Sequence, residues 1–254
     1  MKLYYQTIGK GQPIVILHGL FGSSDNWRGI AKQLSTRAQV ITVDLRNHGR
    51  SPHSQKITYA LMADDLAELF ELLKLGKVDI IGHSMGGKVA MTFSQRYPQW
   101  LRKLVVVDMA PRQYHDEHSA IFRALLALDL SLYATRNDVD EALKIALPNK
   151  AVRQFLLMNL ALNQQNLSWQ INLQALYDNY SELLEAVCED ETITMTSCFI
   201  RGGQSSYVGE EDEDLIRTCF PYAELVTIEQ AGHWIHADAP QQFLTKITEF
   251  LDYD

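Results

Sequence analysis

Short apolar runs alternate with longer amphipathic stretches over the first 110 residues of the chain. Residues 13–17 (Pro-Ile-Val-Ile-Leu), 40–43 (Val-Ile-Thr-Val) and 104–107 (Leu-Val-Val-Val) are continuous apolar runs, which are typical of strands buried on both faces of a parallel sheet. Residues 59–75 carry leucines on one side and acidic residues largely on the other, which predicts an amphipathic helix. The alternation predicts an α/β fold with a mostly parallel, doubly wound sheet.

The middle of the chain interrupts this alternation. From about residue 112 to 191 no convincing strand is found, and helices are predicted over residues 121–128, 139–147, 152–162 and 173–187. Strands are predicted again at 196–201 and 224–228, followed by a last helix over 240–251. We therefore expect a core of residues 1–111 and 196–254, with a helical cap of residues 112–195. Inserted after the strand ending at Asp108, this cap would cover the edge of the sheet where such folds bind ligands.

Residues 82–86, Gly-His-Ser-Met-Gly, stand between a predicted strand and a helical pattern that ends near Tyr97, before Pro98. They fit the G-x-S-x-G nucleophile elbow, in which a serine occupies a sharp turn between strand and helix. Small residues are needed on either side because strand and helix pass closely, and the turn strains the serine backbone. Ser84 is therefore the predicted nucleophile.

A serine hydroxyl needs a neighbouring imidazole to accept its proton. In this architecture the histidine lies on the loop after the last strand, where residues 230–236 contain His233 and His236. We predict that His233 is the base, because Gly232 lets the loop turn sharply enough to aim its ring inward. His236 is the alternative.

The acid that orients this histidine commonly follows the strand after the cap, at a G-x-x-D turn, but Ser205 occupies that position. Because a serine cannot balance the charge of an imidazolium, we predict that the acid is Asp108, at the end of the strand after the elbow helix. Ser205 would then donate a hydrogen bond to it. The alternative is a carboxylate from the acidic run 210–214, which is expected to lie in solvent near a helix N-terminus.

Two backbone N–H groups should bind the oxyanion that develops in the transition state. Met85 follows the nucleophile at the positive end of the elbow helix, so its N–H is one predicted donor. The second is predicted from the loop over residues 18–22, where Leu20 is preferred and Phe21 is the alternative. His18 is expected to support this loop, and His83 to have a structural role.

Other notable side chains receive packing or surface interpretations. A polar network of Asp44, Arg46, His48 and Ser51 is expected to fix one loop. Residues 115–118, His-Asp-Glu-His, lack the H-E-x-x-H order and a distant third ligand, so we expect surface residues and no metal. Apolar cap residues should mostly pack on the core, and some should line an acyl pocket. For substrate contact we select Phe122, Leu125 and Trp234.

Composition narrows the class of protein. The 254 residues are 46% hydrophobic and 21% charged, as expected for a soluble globular protein. The net charge of −8 disfavours nucleic acid or an anionic membrane surface as the main partner. There is no apolar leader and no run long enough to span a bilayer, and Cys188, Cys198 and Cys219 lack CxxC spacing. We expect a cytoplasmic monomer or homodimer that acts on a small molecule without a cofactor.

Five segments together resemble the α/β-hydrolase fold family, particularly its bacterial YbfF esterases: residues 18–23, 44–49, 82–88, 107–111 and 232–236. The resemblance covers both parts of the core, and within the cap it depends mainly on residues 114–122. It implies hydrolysis of carboxylic esters, or of acyl-CoA thioesters, with a preference for apolar acyl chains. It also supports the assignment of the acid to Asp108, because a serine at position 205 departs from the broad superfamily but fits this subgroup.

Two alternatives to an esterase remain open. A cofactor-free perhydrolase or haloperoxidase has the same triad, and peroxide-dependent halogenation would distinguish it. A non-catalytic ligand-binding protein of this fold would fail to react with a fluorophosphonate. Dehalogenase and epoxide-hydrolase chemistry is disfavoured, because those relatives need an aspartate at the position of Ser84.

Overall fold

The structure is a computed structural model that describes residues 1–163, 166–188 and 191–252. In chain order its strands are β1 (Tyr4–Ile8), β2 (Pro13–Leu17), β3 (Gln39–Asp44), β4 (Val78–His83), β5 (Leu101–Val107), β6 (Leu160–Asn163), β7 (Asn166–Trp169), β8 (Ser197–Gly202) and β9 (Ala223–Ile228). Seven of them form one sheet in the order β1-β3-β2-β4-β5-β8-β9. Only β1 runs antiparallel to its neighbour in this sheet, and the other pairings are parallel. The predicted mostly parallel sheet is confirmed.

The helices, also in chain order, are α1 (Arg28–Leu34), α2 (Tyr59–Leu73), α3 (Met85–Arg96), α4 (Ser119–Leu126), α5 (Arg136–Leu143), α6 (Lys150–Leu157), α7 (Leu173–Asp178), α8 (Tyr180–Leu184), α9 (Glu213–Cys219), α10 (Ile235–Asp238) and α11 (Pro240–Leu251). They cover both faces of the sheet. Because successive side chains of a strand point to opposite faces, Ile14 and Ile16 of β2 pack with α1 and α11, whereas Val15 and Leu17 pack with α2 and α3. Burial on both faces explains the continuous apolar runs.

The cap between β5 and β8 differs from the all-helical prediction. It contains α4 to α8, but also a hairpin in which β6 pairs antiparallel with β7, with Leu160 opposite Trp169. The helix predicted over 152–162 in fact ends at Leu157. Leucine and alanine are good helix formers, but helix propensity is weak compared with tertiary contacts, and pairing with β7 overrides it in β6. The sequence also predicts a turn over residues 163–166, between two of the expected helices, but residues 164 and 165 lie outside the described residues.

The two connections between core and cap are tied to each other and to the elbow helix. Tyr114 donates its backbone N–H to the carbonyl of Leu184 at 2.8 Å, and Val187 donates to the carbonyl of Pro111 at 2.8 Å. The fully buried ammonium of Lys88 on α3 donates to the carbonyls of Leu184 and Glu185, at the end of α8. The position of the cap is therefore fixed relative to the helix that follows Ser84.

Across the described ranges, none of the helices is long and apolar enough to cross a bilayer.

Candidate active site

Ser84 sits in the turn between β4 and α3 with a φ of +53° and a ψ of −121°, an unusual conformation for a residue with a side chain. The turn is tight on both sides. A methyl group on Gly82 would lie 2.3 Å from the carbonyl oxygen of Gly86, and one on Gly86 would lie 2.6 Å from two carbonyl oxygens of β2 and the residue after it. Glycine is required at both positions because strand, turn and helix backbones nearly touch.

Asp108 follows β5 and lies fully buried at the end of the strand next to β4. Its carboxylate accepts three hydrogen bonds: from the Gly202 N–H at 3.0 Å, from the Ser205 hydroxyl, and from Nδ1 of His233 at 2.7 Å. The structure therefore brings together the predicted acid, the predicted base and the serine at the position where the acid commonly stands. Asp108 also has a positive φ of 51°, so the turn that presents its carboxylate is strained.

His233 lies on the loop after β9 and lines the same cavity as Ser84. No hydrogen bond joins these two side chains in the described part of the chain; such contacts often tighten only when substrate binds. Because Nδ1 of His233 donates to Asp108, Nε2 is the ring atom free to accept a proton. His83 supports this loop, since its Nε2–H donates to the backbone carbonyl of His233 at 2.8 Å. Burial holds the pKa of His83 well below its usual value, which keeps that ring neutral.

The alternative base and the alternative acid are engaged in other contacts. His236 stacks on Trp27, with ring centroids 4.2 Å apart, and burial lowers its pKa to about 4. In the acidic run over 210–214, Asp212 was expected in solvent, but it is buried and accepts a hydrogen bond from Arg112 at 2.7 Å. That expectation is wrong because Asp212 neutralises an arginine of the segment that leads into the cap.

The loop that contains Leu20 and Phe21 lies against the nucleophile. A methyl group on Gly19 would approach Cβ of Ser84 to 3.2 Å, so the backbone of this loop passes close to the nucleophile. Within the described ranges, the N–H groups of Leu20, Phe21 and Met85 have no protein acceptor. The Phe21 carbonyl accepts a hydrogen bond from the Asn159 side chain at 2.8 Å, and Phe21 has a positive φ of 60°.

His18 supports the same loop as a neutral ring. Its Nδ1–H donates to the Gly19 carbonyl at 2.8 Å, and its Nε2 accepts the Leu45 N–H at 3.0 Å. Burial lowers its pKa, which favours the neutral ring. Both ring nitrogens are occupied by these structural hydrogen bonds. In the predicted polar network beside it, Ser51 donates to the Asp44 carbonyl, whereas the Arg46 guanidinium pairs with Asp65 of α2.

Two cavities open beside Ser84. We call the first, of about 220 Å³, the large cavity; its walls include Ile121, Val152, Phe155, Leu156 and Trp234. The second, of about 40 Å³, is the small cavity, with walls that include Tyr59, Met85, Met109, Tyr114 and Leu183.

Of the residues predicted to touch substrate, Trp234 lines the large cavity. Phe122 and Leu125 line neither cavity. Their side chains are 0% and 2% exposed, and they pack inside the core cluster. Helix α4 turns those two residues inward, and Ile121 beside them faces the cavity.

Two residues at the site were not predicted from the sequence. Tyr207 stacks on His233 with ring centroids 3.8 Å apart. His118 lines both cavities, and its Nδ1 is hydrogen-bonded to the Tyr180 hydroxyl at 2.9 Å. His118 was expected at the surface, but it is half-buried and burial lowers its pKa. Within the described residues, no three His, Cys, Asp or Glu side chains are grouped to hold a metal ion. His118 meets Tyr180 and Tyr207 only in the folded protein, so no local sequence motif indicates its place at the site.

Comparisons with known proteins agree on one family. A model of the α/β hydrolase fold matches residues 12–240. The chain is 39% identical to the sn-1-specific diacylglycerol lipase ABHD11 of Danio rerio over 253 residues, covering 96% of this chain and 80% of that protein. It is 36% identical to the esterase YbfF of Escherichia coli over 250 residues, covering 97% and 96% of the two chains.

A solved structure gives the same result. The chain superposes on a marine microorganism esterase with a TM-score of 0.96 and 39% identity, covering 98% of this chain and 99% of that one. The chain therefore belongs to the α/β-hydrolase family, within its group of carboxylic ester hydrolases that includes the YbfF esterase.

Proposed function

We propose that this protein hydrolyses carboxylic esters with apolar acyl groups through a Ser84–His233–Asp108 triad and an acyl-enzyme intermediate. The observation that carries the proposal is the 2.7 Å hydrogen bond between Asp108 and Nδ1 of His233, made beside a serine in a strained elbow. This arrangement leaves Nε2 of His233 as the proton acceptor for the reaction.

In the first half-reaction Ser84 Oγ attacks the ester carbonyl carbon while His233 removes its proton. The carbonyl oxygen becomes an oxyanion, and the N–H groups of Leu20 and Met85 donate to it. The positive end of α3 adds to this stabilisation because Met85 is its first residue. The imidazolium of His233 then gives its proton to the alcohol oxygen, and the C–O bond breaks.

In the second half-reaction water takes the place of the alcohol. His233 removes a proton from the water, whose oxygen attacks the acyl-enzyme carbonyl. Collapse of the second tetrahedral intermediate releases the acid and returns the proton to Ser84. Throughout, the Asp108 carboxylate balances the positive imidazolium and fixes its tautomer, and the Ser205 hydroxyl and Gly202 N–H hold that carboxylate in place.

The same residues could act on a thioester, since only the leaving atom changes. Ester and thioester activity are separated by assaying p-nitrophenyl esters beside acyl-CoA esters of the same acyl length. Halogenation of an activated phenol with peroxide present would favour the perhydrolase alternative.

The direct test is the reaction of wild type and Ser84→Ala with a fluorophosphonate probe and a panel of p-nitrophenyl esters. Labelling and turnover of the wild type, both lost in Ser84→Ala, are expected. Turnover retained in Ser84→Ala would contradict the nucleophile. A wild type that neither labels nor turns over any ester would favour the non-catalytic ligand-binding alternative.

A further inference from the structure

The large and small cavities share the nucleophile in their walls. Four residues line both of them: Leu20, Ser84, His118 and Tyr207. An ester has two arms that diverge from the carbonyl carbon, so a carbonyl placed against Ser84 would direct one arm towards each cavity.

The position of His233 distinguishes the two arms. His233 lines the large cavity and is absent from the walls of the small one. The imidazolium must give its proton to the alcohol oxygen as the C–O bond breaks, so this oxygen has to be on the His233 side of the carbonyl. Met85, one of the proposed oxyanion donors, lines only the small cavity.

We propose that the small cavity takes the acyl arm and the large cavity takes the alcohol arm. The preferred substrates are then esters of short apolar acids with larger apolar alcohols. This inference rests on the proposed function and adds the class of substrate to it.

The surface of the small cavity fits a short apolar group. Its tyrosine hydroxyls are already engaged within the protein: Tyr59 donates to the Leu183 carbonyl at 2.7 Å, and Tyr114 donates to the Tyr207 carbonyl at 2.8 Å. The hydroxyls of Tyr180 and Tyr207 lie 2.9 Å and 3.5 Å from the two ring nitrogens of His118. The rings of these tyrosines, and not their hydroxyls, are therefore left to contact an acyl group.

The residues that line the small cavity offer no cationic partner to an acyl group that carries a second carboxylate. Glu117 lines the cavity, and its described walls include no lysine or arginine. Burial lowers the pKa of His118, so this ring supplies no dependable positive charge. At about 40 Å³ against about 220 Å³ for its neighbour, the cavity also has little room for a long chain.

The large cavity suits the alcohol arm because it is wide and mostly apolar. Phe155 of the cap packs against Trp234 of the core with ring centroids 5.4 Å apart, and Val152 and Leu156 extend the same wall. These side chains can surround an alkyl or aryl alcohol while its oxygen stays next to His233.

Two isomeric esters test the assignment on the wild-type protein. Octyl acetate and ethyl octanoate have the same formula and closely similar hydrophobicity, but the long arm is the alcohol in one and the acid in the other. We expect kcat/KM for octyl acetate to exceed that for ethyl octanoate by at least about tenfold, the factor associated with one misfitted methylene in an apolar pocket. Equal rates, or a preference for ethyl octanoate, would overturn the assignment while leaving the esterase intact. Hydrolysis of neither isomer would contradict the proposed function itself.

A pair of variants assigns each arm to its cavity. Leu183→Ala enlarges the small cavity and should raise the rate for octyl butyrate relative to octyl acetate. Phe155→Ala is the matched change in the large cavity and should alter the dependence on alcohol length without altering the dependence on acyl length. The opposite pattern would place the acyl arm in the large cavity.

Discussion

The phenol ring of Tyr207 lies face to face with the imidazole of His233, with centroids 3.8 Å apart and planes inclined by 22°. Tyr207 is itself held on two sides. Its carbonyl accepts hydrogen bonds from the Tyr114 hydroxyl at 2.8 Å and from Arg112 at 3.3 Å, and its N–H donates to the Ser205 hydroxyl at 3.2 Å. The orientation of the proposed base is thus linked to the segment that leads into the cap.

Replacing Tyr207 by leucine should remove the flat surface that keeps the imidazole in position. Displacing a reacting group by about 1 Å can cost about 100-fold in rate, so kcat for a short p-nitrophenyl ester is expected to fall about 10- to 100-fold. Tyr207→Phe is the matched control, because it retains the ring and loses only the hydroxyl. Equal losses in the two variants would show that the hydroxyl matters and the stacking does not.

Ser205→Ala should slow the reaction without abolishing it. The change removes one of three hydrogen bonds to the buried Asp108 carboxylate, and a hydrogen bond to a charged group contributes about 1.5–3 kcal/mol. We expect kcat to fall at least about tenfold with little change in KM. The exposed neighbour supplies a control in Ser206→Ala, which should behave as wild type. A normal kcat in Ser205→Ala would mean that Gly202 and His233 hold the carboxylate by themselves.

Lys88 predicts a dependence of stability on pH. Burial lowers the pKa of its ammonium to about 7, against the opposing influence of Glu185. Between that value and about 10.4, the pKa of an unfolded lysine, the unfolded chain binds more protons at this site than the folded chain does. The contribution of Lys88 to the free energy of unfolding therefore rises with pH across this range.

Urea unfolding of wild type and Lys88→Met at several pH values between 6.5 and 9.5 measures this effect. The difference between the two proteins cancels the titration of all other groups. We expect the free energy of unfolding of the wild type to increase relative to Lys88→Met as the pH rises. A flat difference would mean that the buried ammonium has an ordinary pKa, and a falling one that its pKa is raised; either result would contradict the prediction.

The sequence was sufficient to predict the sheet, because apolar runs such as Ile14 to Leu17 reflect burial on two faces. It was also sufficient to find residues whose neighbours constrain the backbone, such as Ser84 between Gly82 and Gly86. The β6–β7 hairpin could not be predicted, since its leucines and alanine favour helix locally and form a strand only by pairing with residues 166–169.

Contacts between residues that are distant in the sequence could not be predicted either. Helical periodicity predicts that α4 has an inward face, but it does not tell whether Ile121 or Phe122 meets the cavity. Tyr207 lies two residues after Ser205, yet nothing nearby in the sequence indicates that its ring packs on His233. The first contact depends on how the cap sits on the core, and the second on how the loops after β8 and β9 meet.

The central claim is that the acid comes from β5 and not from the position after the cap. Its most direct test is kcat for p-nitrophenyl acetate in Asp108→Asn, compared with Asp212→Asn as the matched change in the alternative acidic run. Asparagine at 108 would favour the wrong imidazole tautomer, so we predict a loss of about 10⁴-fold, against a far smaller loss in Asp212→Asn. An Asp108→Asn variant within about tenfold of wild type, or a large loss in Asp212→Asn instead, would contradict the claim.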